Sequence, residues 1–105
     1  MNILRSTVPK PDYPSVSITD HVLRHASMLS EKTAFIEGMS GRIVTYGQLA
    51  DRIRALAGGL VSRGIGPGTT WALLAPNIPE YAIVFHGPVA LLPPWTKKAI
   101  RFAPL

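Results

Sequence analysis

Apolar residues recur along this chain in three rhythms, each of which predicts a different kind of element. Leu49, Ile53, Leu56, Ala57, Leu60 and Val61 follow at steps of four, three, one, three and one, which winds them onto one stripe of a helix. Asp51, Arg52, Arg54 and Arg63 mostly fall on the opposite side. The flanks define where this helix starts and stops. Thr45 and Gln48 have the spacing of a capping box, and Val44 and Leu49 hold the positions of a hydrophobic staple. Gly64 is placed to take the left-handed conformation that ends a helix, and Gly66, Pro67 and Gly68 keep it ended. Gly58 and Gly59, inside the helix, each cost about 1 kcal/mol relative to Ala, which points to close approach of another backbone.

A second helical rhythm comes earlier. Ser17 or Thr19 can cap a helix with Asp20 in its first turn, and Ile18, Val22, Ala26 and Leu29 then form a core-seeking face. Two short β-prone runs follow, residues 33–37 and 42–46, and Gly38, Met39, Ser40 and Gly41 between them suit a hairpin. Residues 71–75 are continuously apolar rather than alternating, the pattern of a central strand covered on both faces. Beyond them Asn77 and Glu80 have the spacing of another cap, and Pro79 is tolerated in a first helical turn, where its missing N–H would have been unpaired anyway. Residues 81–85 are apolar all round, as in a helix buried inside a larger body. The order strand, helix, strand, helix over residues 42–87 predicts an α/β fragment: one hairpin plus a βαβ unit with a right-handed crossover, and flanking helices.

Composition adds a demand for cover. The 105 residues suit one domain with one core. Apolar residues make up 47% and charged residues 16%, against roughly 25% charged in an average soluble protein, so self-association or chaperone contact through exposed apolar surface is expected. Residues 17–87 are nearly neutral, and the excess behind the net charge of +5 lies at the ends, in Arg5, Lys10, Lys97, Lys98 and Arg101. That distribution argues against nucleic-acid binding, which wants basic residues gathered on one element with aromatic or polar readers. No run reaches the roughly 18 to 20 apolar residues of a membrane span, and the richest, residues 81–95, is broken by Pro88, Pro93 and Pro94. Residues 1–16, punctuated by Pro9, Pro11 and Pro14, read as an extended lead-in without the apolar core of a signal peptide, so the expected location is cytoplasmic. With no cysteine, disulfides, thiolate metal sites and a Cys nucleophile are excluded.

Candidate chemistry is sparse. Gly64, Gly66 and Gly68 with Thr69 and Thr70 invite a phosphate-loop reading, but such loops follow a strand and open a helix, whereas this run leaves a helix at its negative end. His21 and His25 have the spacing of a helical metal pair without a third ligand, and Val22 stands where a zinc protease places its Glu. His86 could serve as a base, yet no nucleophilic Ser elbow or orienting carboxylate goes with it, and a packing role with one satisfied nitrogen is expected. The six acidic residues are scattered singly. No catalytic, cofactor-binding or metal-binding residue is assigned.

The order of short blocks carries further information. Ser17-Ile18-Thr19-Asp20-His21, Lys32-Thr33-Ala34-Phe35-Ile36-Glu37-Gly38, Thr45-Tyr46-Gly47-Gln48-Leu49, Leu56-Ala57-Gly58-Gly59-Leu60, Arg63-Gly64-Ile65-Gly66-Pro67-Gly68 and Ala75-Pro76-Asn77-Ile78-Pro79-Glu80-Tyr81 stand in sequence over about seventy residues. Together they resemble the N-terminal segment of AMP-dependent synthetases/ligases, the adenylate-forming acyl-CoA synthetases, and especially the coumarate-CoA ligase-like branch. The resemblance implies a fragment of the large N-terminal domain of an adenylate-forming enzyme. It implies ATP, Mg and coenzyme A as cofactors of the full-length family, and none for this chain, because the family's phosphate loop, ribose-binding Asp and catalytic Lys come after the matched region. Lys97 and Lys98 do not match that Lys.

The pattern is lost after Gly87, where Pro88, Pro93 and Pro94 and the basic cluster Lys97, Lys98 and Arg101 cannot form a regular central strand. The expected organisation is a lead-in over 1–16, a partial ligase domain over 17–87 and a divergent Pro-rich basic tail over 88–105. The abrupt loss suggests, as a hypothesis, a frameshift or early stop near codon 88; DNA without ligase-like sequence downstream in any frame would overturn it. On this reading the chain is a truncated ligase fragment, inactive alone. The alternative is a standalone protein-interaction module using its exposed apolar α/β surface.

Overall fold

The computed structural model describes residues 3–91, with helices α1 (Ile18–Leu23), α2 (Tyr46–Ser62) and α3 (Pro79–Val89) and strands β1 (Thr33–Ile36) and β2 (Ile43–Thr45). Local signals define α2 at both ends. Thr45 Oγ1 accepts from the Gln48 N–H at 3.2 Å, and Gln48 Oε1 accepts from the Thr45 N–H at 3.1 Å, closing the capping box. Val44 and Leu49 are both buried beside it, as a staple requires. At the other end Gly64 has φ +75°, its N–H reaches Val61 O at 2.9 Å, and the Ile65 N–H reaches Leu60 O at 3.0 Å. This is a Schellman closure. Leu49, Ala50, Ile53, Ala57 and Leu60 face inward and Val61 outward.

The two strands pair antiparallel, with Thr33 opposite Thr45, Phe35 opposite Val44 and Ile36 opposite Ile43, and an irregularity between Thr33 and Phe35. Gly41 turns the chain at φ +72°, donating its N–H to Glu37 O. The hairpin expectation holds. The βαβ expectation does not, because residues 71–75 form no strand and the only sheet among the described residues is the two-stranded β1–β2 pair. A strand needs a neighbour for its backbone groups, and among the described residues none pairs with residues 71–75. What remains is a small α/β arrangement of three helices and a hairpin.

Two other expectations change. The first helix stops at Leu23 and continues as turns, and its inward face is Thr19, Leu23 and Ala26, while Ile18 and Val22 are exposed. Ser17 caps it by accepting from the Asp20 N–H, and Thr19 turns inward to hydrogen bond with α3. Ile78, not Asn77, is the N-cap of α3 and makes no side-chain cap bond, with Pro79 entering the first turn as expected. Glu80 serves a different partner, described below.

The core is Val44, Leu49, Ile53 and Ile83, with Leu23, Ala34, Leu56 and Ala82 packed against it. α3 therefore lies on α2. Their close approach is at Gly87, where an added Cβ would meet Leu56 Cδ2 at 2.5 Å. At Gly58 and Gly59, expected to mark such an approach, a Cβ would meet nothing within 4 Å. Pro88 lies inside α3, which ends at Val89. Among the described residues no helix is long and apolar enough to cross a membrane.

Candidate functional site

An open cleft of about 300 Å³ lies between the hairpin and the start of α3. Phe35, Ile36, Ile78, Pro79, Tyr81 and Ala82 supply apolar walls, and Glu37, Gly38 and Asn77 complete the lining. Nearby, an ion-pair clasp ties the hairpin to α3. Arg42, just before β2, donates from its two terminal nitrogens to both Glu80 carboxylate oxygens at 2.5 and 2.8 Å, and its Nε lies 3.4 Å from Glu37 Oε2. The Ser40 hydroxyl donates to that same Glu37 oxygen.

This bidentate geometry determines the protonation states. The Arg42 hydrogen bonds, helped by a backbone N–H at the helix start, hold the Glu80 carboxyl down to about 2. The Ser40 hydroxyl first, then Arg42, hold Glu37 below the usual carboxylate range, and the carboxylates push the Arg42 guanidinium up. All three groups are charged at neutral pH. Neither carboxylate therefore has a proton to give, and the oxygens are already engaged by Arg42 and Ser40. The clasp is suited to holding two elements together.

The other candidates separate. His86 Nδ1 lies 2.9 Å from Thr19 Oγ1, its ring stands edge-on to Phe85 at 5.0 Å, and burial pushes its pKa below the ordinary value. A packed histidine with one satisfied nitrogen is thus what the structure contains. His25 lies beyond the end of α1 and its Nε2 accepts from Arg24 Nε at 3.1 Å, so His21 and His25 do not share a helix. Among the described residues no three His, Cys, Asp or Glu side chains gather as a metal site. The glycine-rich run closes on itself at the C-terminal end of α2, with Thr69 N–H bonded to Gly66 O at 3.1 Å and Gly66 N–H to Thr69 Oγ1 at 3.4 Å. Lys97 and Lys98 lie outside the described residues. Sequence reasoning missed the Arg42–Glu80 and Thr19–His86 contacts, which join residues 38 and 67 positions apart and leave no local signal.

Comparison with known proteins places this geometry in context. The family model described as AMP-binding enzyme matches residues 22–91. The chain is 33% identical to 4-coumarate–CoA ligase-like 1 of Arabidopsis thaliana over 84 residues, covering 80% of this chain and 15% of that protein. It is 36% identical over 88 residues to 4-coumarate–CoA ligase 4 of the same plant, covering 79% and 15%, and 35% identical over 86 residues to 4-coumarate–CoA ligase 1 of Petroselinum crispum, covering 81% and 16%. The chain thus spans about 15% of the length of these curated relatives. No solved structure matches it.

Proposed function

This chain belongs to the AMP-binding enzyme family, and from that premise we propose that its 105 residues are a structural N-terminal segment of a coumarate-type acid–CoA ligase, without adenylating activity of their own. In the whole enzyme a carboxylate attacks the α-phosphorus of ATP, pyrophosphate leaves, and the thiol of coenzyme A then displaces AMP from the acyl-adenylate. The activation is needed because oxide is a poor leaving group from a carboxylate and AMP is a good one. Magnesium would require several oxygen ligands in near-octahedral array. The described residues offer no such cluster of carboxylates.

The observation that carries the reading is the family match over residues 22–91 within relatives more than six times longer than the aligned segment. The state of the polar groups supports the second half of it. Glu37 and Glu80 are engaged by Arg42, and His86 by Thr19. The standalone interaction module draws no support from these relatives, which are ligases or ligase-like by name.

Two assays test the reading. The purified 105-residue chain is expected to give no pyrophosphate exchange into ATP above a protein-free control with 4-coumarate and other carboxylic acids; robust exchange would overturn the claim of inactivity. A graft placing residues 22–91 in the corresponding segment of the Petroselinum crispum ligase is expected to keep making the CoA thioester. A folded graft without that activity sinks the ligase assignment.

A further inference from the structure

Ser40 sits at a junction of charges on the hairpin turn. It is exposed, Met39 beside it is fully exposed, and a Cβ built on Gly38 or Gly41 would meet nothing within 4 Å, so the turn stands clear of the rest of the molecule. An enzyme can reach it. The Ser40 hydroxyl donates to Glu37 Oε2 and accepts from the Arg42 N–H at 3.2 Å. Arg42 divides its guanidinium unequally, with terminal nitrogens 2.5 and 2.8 Å from the Glu80 oxygens and contacts to Glu37 at 3.4 and 3.5 Å. Glu80 holds the cation, and Ser40 compensates Glu37. Among the described residues the two Arg42–Glu80 bonds are also the only hydrogen bonds between the hairpin and α3, which otherwise face each other across the open cleft.

We propose that Ser40 is a phosphorylation site, and that a phosphate there draws Arg42 away from Glu80 and unties the hairpin from α3. The inference goes beyond the ligase reading and does not depend on it. The donor is ATP held by a serine kinase. Ser40 Oγ attacks the γ-phosphorus, and the Oγ–P bond forms as the bond from that phosphorus to the β,γ-bridging oxygen breaks; ADP leaves, and the hydroxyl proton passes to a carboxylate base of the kinase. The product reverses the contact with Glu37. Its O–H donor is gone, and a group carrying about −1.5 to −2 charges at neutral pH stands against the carboxylate instead. Ser40 Oγ and Arg42 Nε already share Glu37 Oε2 as a partner, so the phosphoryl oxygens form within reach of the guanidinium. One cation then faces two carboxylates and a phosphate. Arg pairs with phosphate through strong, bidentate bonds, and Glu80 is the competitor that gives way, because it belongs to another element and its half-exposed carboxylate can return to water. No other serine hydroxyl among the described residues bonds to a member of an ion pair.

The 105-residue chain and its Ser40→Ala variant, incubated with ATP and serine kinases of basic, acidic and proline-directed preference, provide the first test. Mass spectrometry is expected to find phosphate at Ser40, and its absence with every kinase overturns the proposal. Carboxyl NMR titration then reads the clasp. Glu80 is expected to titrate at about 2 in the unmodified chain and in Ser40→Ala, and at about 3 or above once Ser40 is phosphorylated. Arg52, which also acts on Glu80, is the same in every form compared. The second ionisation of the phosphate, ordinarily near pH ~6, should be lower in the parent than in Arg42→Gln. A Glu80 carboxyl unmoved by phosphorylation, or moved equally by Ser40→Ala, overturns the release, as does a phosphate indifferent to Arg42. A rise in Glu80 that comes with loss of helical circular dichroism also counts against it, because unfolding would then explain the change. If Glu80 of the unmodified chain titrates near its ordinary 4.5, no clasp exists to be released and the proposal fails.

Discussion

A methyl group has opposite consequences at two glycines of this chain. At position 87 it would press on Leu56 Cδ2 at 2.5 Å and Cγ at 2.8 Å, and the Cγ atom is too near the backbone to swing away freely. Gly87→Ala is therefore expected to lower stability by about 1 to 2 kcal/mol, the overpacking cost exceeding the gain in helix propensity. Gly58→Ala meets open space in the middle of α2. It should raise stability by about 0.5 to 1 kcal/mol through propensity alone. Urea denaturation of the three proteins checks both signs. His86 supplies a pH dependence at the same scale. Burial lowers its folded pKa below the unfolded value of about 6.5, so the unfolded chain binds the proton more readily. Stability is complete above that value and falls as pH drops through it toward the folded pKa. The lowered carboxyls of Glu37 and Glu80 act only at lower pH, below their ordinary value of 4.5. Between pH 7.5 and 5.5, the decline in stability should be smaller in His86→Gln than in the parent.

At the scale of elements, α2 depends on its first turn. Thr45→Ala removes the side-chain acceptor for the Gln48 N–H and is expected to cost about 1 kcal/mol, with Thr45→Ser restoring most of it. Amide exchange at residues 46–49 would localise the loss; unchanged exchange would show the cap to be dispensable. This helix was legible in the sequence because cap, staple, periodic stripe and Schellman glycine all lie within one stretch and agree with one another. The hairpin was legible for a similar reason, with Gly41 at the turn. What could not be read depends on contacts between distant residues. The phase of α1 follows Thr19, whose partner His86 is 67 positions away, so the apolar spacing of Ile18 and Val22 pointed to the wrong face. Glu80 has the spacing of a cap residue with Asn77 but is taken by Arg42 from the hairpin. The close backbone approach falls at Gly87 because that position of α3 faces Leu56, while Gly58 and Gly59 face away. Residues 71–75 carry a strand pattern, but a strand is a property of a pair. The polar clasp beside the cleft was invisible for the same reason.

Among the described residues the core is small. The radius of gyration is 16.6 Å, against about 13 Å for a compact domain of this size. Residues 3–16 are exposed throughout, and Leu4, Met39 and Leu74 are almost or fully exposed. The fold is held by Val44, Leu49, Ile53 and Ile83, of which Ile53 and Val44 are the largest fully buried side chains. Ile53 therefore offers the most direct measure of how much stability there is to lose. Ile53→Ala should cost about 2 to 5 kcal/mol from lost transfer energy and the cavity left behind. A whole domain is commonly stable by only about 5 to 15 kcal/mol, and one with so few buried side chains belongs at or below the lower end. Ile53→Ala is thus expected to abolish the cooperative thermal transition seen by circular dichroism, while Ile53→Val, at a cost of about 1 kcal/mol, should keep it at a lower midpoint. If Ile53→Ala instead melts at the parent midpoint, the four-residue cluster is not what holds the helices and hairpin together. If the parent itself shows no transition, the elements require the cover that the rest of a ligase would bring, and the graft is where the same Ile53→Ala cost should be measured.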